Sequence, residues 1–145
     1  MSNQTYASAA VVPATVPDAL TTIVPAIGRV MISAIFILAG LSKIAAPTMT
    51  IGYIQSVGLP LPQVAFGISV LVEVVGGITL LLGYRTRIVA GVLFVFALVT
   101  AAFFHHNFAD QNQFIHFFKN VAMAGGLLHV VAFGGGRISL DGRRA

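Results

Sequence analysis

Four stretches of this chain, at about residues 23–46, 63–83, 88–104 and 114–133, are almost wholly apolar. Each is long enough to cross about 30 Å of hydrocarbon as an α-helix rising 1.5 Å per residue. A chain of 145 residues has no soluble fold that hides four such segments at once. The composition agrees: 57% of residues are hydrophobic, 8% are charged, and mean hydropathy is +0.95. Soluble domains carry about a quarter charged residues. The spacing therefore predicts an all-α fold, an antiparallel bundle of four transmembrane helices.

Punctuation between the spans fits this division. Pro25 falls in the first turn of the first span, Pro60-Leu61-Pro62 precede the second, and Gly134-Gly135-Gly136 stop the fourth. Between the first two spans, Met49, Tyr53, Ile54 and Val57 recur at helical spacing, which predicts a short interfacial helix; an ordered loop is the alternative. Residues 1–22 contain no Lys or Arg, so they lack the basic region of a secretory signal and read as an N-terminal tail. The organisation expected is a tail at 1–22, a transmembrane domain at 23–136 and a second tail at 137–145.

Arginine bias sets the expected orientation. Arg85 and Arg87 lie in the turn between the second and third spans, and Arg137, Arg143 and Arg144 follow the fourth. The opposite side has only Lys43 and Lys119, both within helix ends. Both termini are thus expected on the cytoplasmic side of a cell (inner) membrane. The formal charge of +4 forms no basic face, which speaks against a nucleic-acid partner. Cysteine is absent, excluding disulfides, thiolate metal sites and cysteine-held clusters.

Ionisable groups inside spans cost several kcal/mol unless paired or hydrated, so each needs a reason. Arg29, Ser33, Phe36, Gly40 and Lys43 advance in steps of four and three, as do Ser69, Glu73, Gly76, Gly77 and Leu80. Arg87, Gly91, Phe94, Leu98, Ala101 and His105 form a stripe in the third span. In the fourth, His116, Lys119, Asn120 and Met123 share one face, beside a small-residue face of Ala122, Gly125, Gly126 and His129. Small residues let helices approach closely, so these stripes are expected to face inward. Glu73, near mid-span, is expected in a buried ion pair with Arg29 or Lys119, serving either to lock the bundle or to support a site above it. His129 reads as a helix-packing residue.

Lys43, His105, His116, Lys119 and Asn120 come from three spans yet lie near one surface, with His106 beside them. A cationic, donor-rich pocket above an apolar shaft suits a quinone or a small anion. Snorkelling lysines and interfacial histidines are the ordinary alternative. Only Asp110 supplies a carboxylate near these histidines, so no metal site is assigned. No soluble-enzyme motif is present: the glycine pairs lie in spans, and none follows a strand.

These residues together resemble the DoxX family of small four-helix membrane proteins. The resemblance is carried by Gly28-Arg29 and Gly40-Leu41-Ser42-Lys43 in the first span, and by Val57-Gly58-Leu59-Pro60 after it. It continues through Glu73-Val74-Val75-Gly76-Gly77 and Leu82-Gly83-Tyr84-Arg85-Thr86-Arg87. Phe118-Lys119-Asn120 and Gly125-Gly126-Leu127-Leu128 complete it, so that it spans about residues 23–141. It implies membrane redox chemistry of the kind associated with the membrane part of thiosulfate:quinone oxidoreductases and with oxidative-stress complexes. Arg29, Lys43, Glu73, Lys119 and Asn120 take the family's recurring polar positions. The expectation is a membrane subunit that lends a quinone or anion pocket to a redox partner protein, or to a homo-oligomer, in contact with membrane lipid. The chain offers no residue that holds a cofactor covalently or through Cys. A non-catalytic anchor or assembly factor, and a small anion carrier, are the rival functions.

Overall fold

The computed structural model describes residues 18–144, and within them every regular element is helical. In chain order they are α1 (Asp18–Ala45), α2 (Pro47–Ser56), α3 (Pro62–Leu82), α4 (Thr86–Phe104) and α5 (Gln111–Phe133). Helices α1, α3, α4 and α5 are each long and apolar enough to cross a membrane. Their lengths of 28, 21, 19 and 23 residues correspond to about 28–42 Å. The expected helix at residues 47–62 is present as the ten-residue α2. Residues 1–17, most of the expected N-terminal tail, lie outside the described residues; α1 starts at Asp18, not at position 23.

Helix ends follow from local chemistry. Pro62 stands in the first turn of α3, where its missing N–H is no loss. The Asp110 carboxylate accepts from the amides of Asn112 (2.8 Å) and Gln113 (3.1 Å), capping α5. Gly83 ends α3 in the left-handed region (φ 69°), and its amide donates to the Leu80 carbonyl. A side chain there is doubly excluded: a Cβ would lie 2.4 Å from Ser139 Cβ.

Two antiparallel pairs, α1 with α3 and α4 with α5, make the bundle, and α2 packs against α3. The core between them is Phe36, Leu80, Ala90, Leu93, Ala97, Ala124 and Leu127. The α1 stripe faces inward as read from sequence, with Arg29, Ser33, Phe36 and Gly40 buried, as do Glu73, Gly77 and Leu80 of α3. Glycine sets the α1–α3 distance. A Cβ at Gly77 would lie 2.8 Å from Ile37 Cγ1, and one at Gly40 would lie 2.6 Å from Val74 Cγ2.

Two stripes differ from expectation. The buried face of α4 is Thr86, Ala90, Leu93, Ala97 and Ala101; Arg87 and Leu98 are exposed and Gly91 is only half-buried. On α5 the buried positions are Ala124 and Leu127, whereas Ala122, Gly125 and His129 are exposed. His129, expected to pack between helices, is instead exposed, its ring 5.8 Å from that of Phe133. The outer faces carry Met31, Leu38, Leu71, Ile88, Val95 and Phe118, all about half or more exposed, a surface whose solvent is lipid.

Residues 134–144 are packed back onto the bundle. After α5 the chain turns through Gly134 (φ 80°) and Gly136 (φ 74°), folds back over one end of the bundle, and pairs with the α3–α4 turn. The Leu140 amide donates to the Leu82 carbonyl (3.1 Å) and the Asp141 amide to the Gly83 carbonyl (2.9 Å).

Candidate functional site

Buried charge is found at two levels. Near one end, Arg29 is 4% exposed and has no carboxylate within ion-pair distance among the described residues. It donates instead to three backbone carbonyls, those of Leu81 (3.2 Å), Gly135 and Ile138. These are acceptors left over at the end of α3 and in the folded-back segment, so a rigid fork of donors meets orphan carbonyls. Asp141 completes the same junction. Its carboxylate accepts from the Arg85 amide (2.9 Å), the Thr86 amide (2.7 Å) and the Thr86 hydroxyl (2.7 Å), capping α4 from 55 residues away. The two Thr86 hydrogen bonds, amide first, hold the Asp141 carboxyl below the usual carboxylate range. Sequence reading missed Asp141; its one signal is that it is the sole acid among the C-terminal arginines.

Toward the other end, Lys43 Nζ lies 2.7 Å from both carboxylate oxygens of Glu73. The expected partner is thus corrected: Glu73 pairs with Lys43, not with Arg29 or Lys119. Helix approach explains the choice. Gly40 brings α1 so close to α3 that a Cβ on it would sit 3.1 Å from Glu73 Cβ, and Lys43 stands one turn further along the same face. Arg29 lies three turns away and is committed to carbonyls, while Lys119 is exposed and makes no hydrogen bond among the described residues.

Beside this pair is a cavity of about 710 Å³ between α1, α2, α3 and α4. Lys43, Glu73 and His105 line it together with the hydroxyl residues Ser42, Thr50, Tyr53, Ser69 and Thr100; Met49, Ile54, Ile68, Phe96, Val99 and Phe104 provide much of its apolar wall. Helix α2 closes one side. Tyr53 donates its hydroxyl to the Phe104 carbonyl (3.1 Å), and the two rings lie 5.5 Å apart. His105 ends α4 with Nδ1 3.0 Å from Gln113 Oε1. A carbonyl oxygen only accepts, so this contact calls for a proton on Nδ1, and in the tautomer that carries it there alone Nε2 is an acceptor.

Of the five residues singled out for one ligand pocket, the structure puts Lys43 and His105 on the cavity wall. His116 stands behind His105, ring on ring at 5.1 Å. Asn120 turns its amide to the His116 carbonyl (2.9 Å), and neither it nor Lys119 lines the cavity. Glu73, Ser69 and the α2 residues Met49, Tyr53 and Ile54 do. The α2 contribution was visible only as helical spacing.

Four membrane-length helices around a small buried polar centre define a multi-pass membrane protein of the helical-bundle class. The DoxX family profile matches residues 24–106. Two proteins of Escherichia coli K12 are similar over most of their length. Inner membrane protein YphA is 37% identical over 123 residues, covering 81% of this chain and 87% of YphA. Inner membrane protein YqjF is 36% identical over 118 residues, covering 79% of this chain and 87% of YqjF. No solved structure matches significantly. The chain belongs to the DoxX family, a multi-pass protein of the inner membrane.

Proposed function

We propose that this protein is a membrane subunit that binds a neutral, lipid-soluble carbonyl compound of the quinone class in the cavity beside Lys43 and Glu73, in support of redox chemistry carried by a partner protein. The arginine distribution supports placing both termini on the cytoplasmic side. The observation that carries the reading is the cavity: about 710 Å³, apolar over most of its wall, with the Lys43–Glu73 ion pair at its polar side. Small-molecule sites have volumes of roughly 300–1,000 Å³ and this kind of lining.

The residues present fit such a ligand. An ammonium has three donors, and Lys43 commits two directions to Glu73, leaving a donor for a carbonyl oxygen. In its Nδ1-protonated tautomer, His105 supplies an acceptor at Nε2 for a hydroxyl. The quinone supplies the redox chemistry; the chain orients its oxygens and excludes water. An anion fits less well, because Glu73 at 2.7 Å cancels the charge of Lys43.

The test compares parent protein with the Lys43→Met/Glu73→Gln double variant, which removes both charges and strands neither. Titrated with a short-tailed benzoquinone in mild detergent, the parent should bind saturably. The variant should bind roughly ten- to a hundred-fold more weakly, the effect of one lost charged hydrogen bond. Equal binding by the two proteins, or none by the parent, refutes the reading.

A further inference from the structure

At the end of the bundle away from that cavity lies a second cleft, of about 620 Å³, between the start of α4 and the folded-back segment. Arg85, Arg87 and Arg137 line it, together with Gly134, Ile88 and Phe133. The Arg87 side chain lies against the glycine turn: its Nε is 3.4 Å from where a Cβ on Gly134 would stand. None of the three guanidiniums makes an ion pair among the described residues. The one acid in the cleft, Asp141, has its oxygens occupied by the Arg85 amide and by the amide and hydroxyl of Thr86. Three arginines against one carboxylate whose oxygens are already engaged leave the cleft net positive, which favours an anion from outside. The rim says which kind: Ile88 is 63% exposed and Phe133 77%, so the mouth is bordered by large apolar side chains.

We propose that this cleft binds the phosphate headgroup of an anionic glycerophospholipid, its acyl chains lying along Ile88 and Phe133. Guanidiniums suit phosphate oxygens through paired, charge-assisted hydrogen bonds. The apolar border is what distinguishes a lipid phosphodiester from free phosphate, which has nothing to place there. This site is independent of the cavity beside Lys43, with which it shares no lining residue.

The experiment uses the full chain in mild detergent and native mass spectrometry, titrating phosphatidylglycerol, phosphatidylcholine or inorganic phosphate. Phosphatidylglycerol should bind in preference to phosphatidylcholine. The Arg87→Gln/Arg137→Gln variant should bind it about ten-fold more weakly. Both positions are exposed, so the fold should persist, which circular dichroism checks. An Arg143→Gln/Arg144→Gln variant removes the same charge outside the cleft and should bind like the parent. If the control variant weakens binding as much, the attraction is diffuse surface charge and the site is refuted. If phosphatidylcholine binds equally, or inorganic phosphate competes phosphatidylglycerol away at similar concentration, the lipid assignment is refuted.

Discussion

The Lys43–Glu73 pair is asymmetric, and the asymmetry predicts which half can be removed. Both carboxylate oxygens lie 2.7 Å from Nζ, but the Glu73 side chain is 5% exposed and that of Lys43 is 28% exposed. Lys43→Met leaves an acid enclosed by helices with no cation in reach, the situation in which breaking a buried pair costs about 3–5 kcal/mol. Glu73→Gln leaves a lysine that can swing its flexible stem toward water or headgroups, so the loss is that of the hydrogen bonds alone, about 1.5–3 kcal/mol. With both changed, no charge is stranded, and the isosteric neutral pair should be within about 1 kcal/mol of the parent. The expected order of stability is parent, then double variant, then Glu73→Gln, then Lys43→Met. Thermal unfolding in mild detergent, followed by far-UV circular dichroism on all four proteins, closes a double-mutant cycle. If Lys43→Met is no less stable than Glu73→Gln, or if the two losses simply add in the double variant, the pair does not act as described.

Three further outcomes are expected. Gly77→Ala should destabilise by about 1–3 kcal/mol, since its Cβ would lie 2.8 Å from Ile37 Cγ1 and 3.2 Å from the Ile37 amide nitrogen, whereas Gly125→Ala, which meets nothing within 4 Å, should be neutral or slightly stabilising in the same melt. Because the Asp141 carboxyl is held below the usual range, its contribution is present above the ordinary carboxylate pKa and is lost as pH falls through the lowered value. Protease resistance of the folded-back segment should therefore be flat near neutrality and fall in strongly acidic buffer, and Asp141→Asn should lack that acid-dependent drop. A cysteine at Asn112 of this cysteine-free chain should react with a membrane-impermeant thiol reagent in intact cells while one at Ala145 should not; the reverse pattern overturns the assigned orientation.

The spans were legible because hydrophobic length is a one-dimensional property: each helix runs within five residues of its expected bounds. The inward face of α1 was legible for a related reason, since Arg29, Ser33 and Gly40 are types that lipid does not tolerate or that close packing requires. Helix α4 offered no such contrast. In a bilayer the outward face is as apolar as the core, and only size separates Ala90 and Ala97 from Val92 and Val99. Arg87 and His105, polar residues at its two ends, drew the expected stripe to the wrong side. The partner of Glu73 could not be read because sequence alone does not fix the relative heights of the helices that carry Arg29, Lys43 and Lys119. What decides among them is the height at which α1 and α3 touch, a matter of Gly40 against Val74 and Glu73 in three dimensions. The arrangement of residues 134–144 is set mostly by backbone hydrogen bonds to distant turns, which leave no periodic trace.

The Arg29 acceptors have a consequence for how the protein is made. Gly135 stands 106 residues after Arg29, and Ile138 stands 109 after it. At about 5–20 residues per second of synthesis, the guanidinium enters the membrane roughly 5–20 s before the carbonyls that will hold it exist. Throughout that interval α1 carries a cation whose final acceptors are mostly missing, so Arg29 must stay among headgroups or water, and α1 cannot settle to its final depth. Completion of the bundle thus waits on residues that follow the last membrane-spanning helix. A chain interrupted after Phe133 would have all four long helices but only one of the three carbonyls that hold Arg29, that of Leu81.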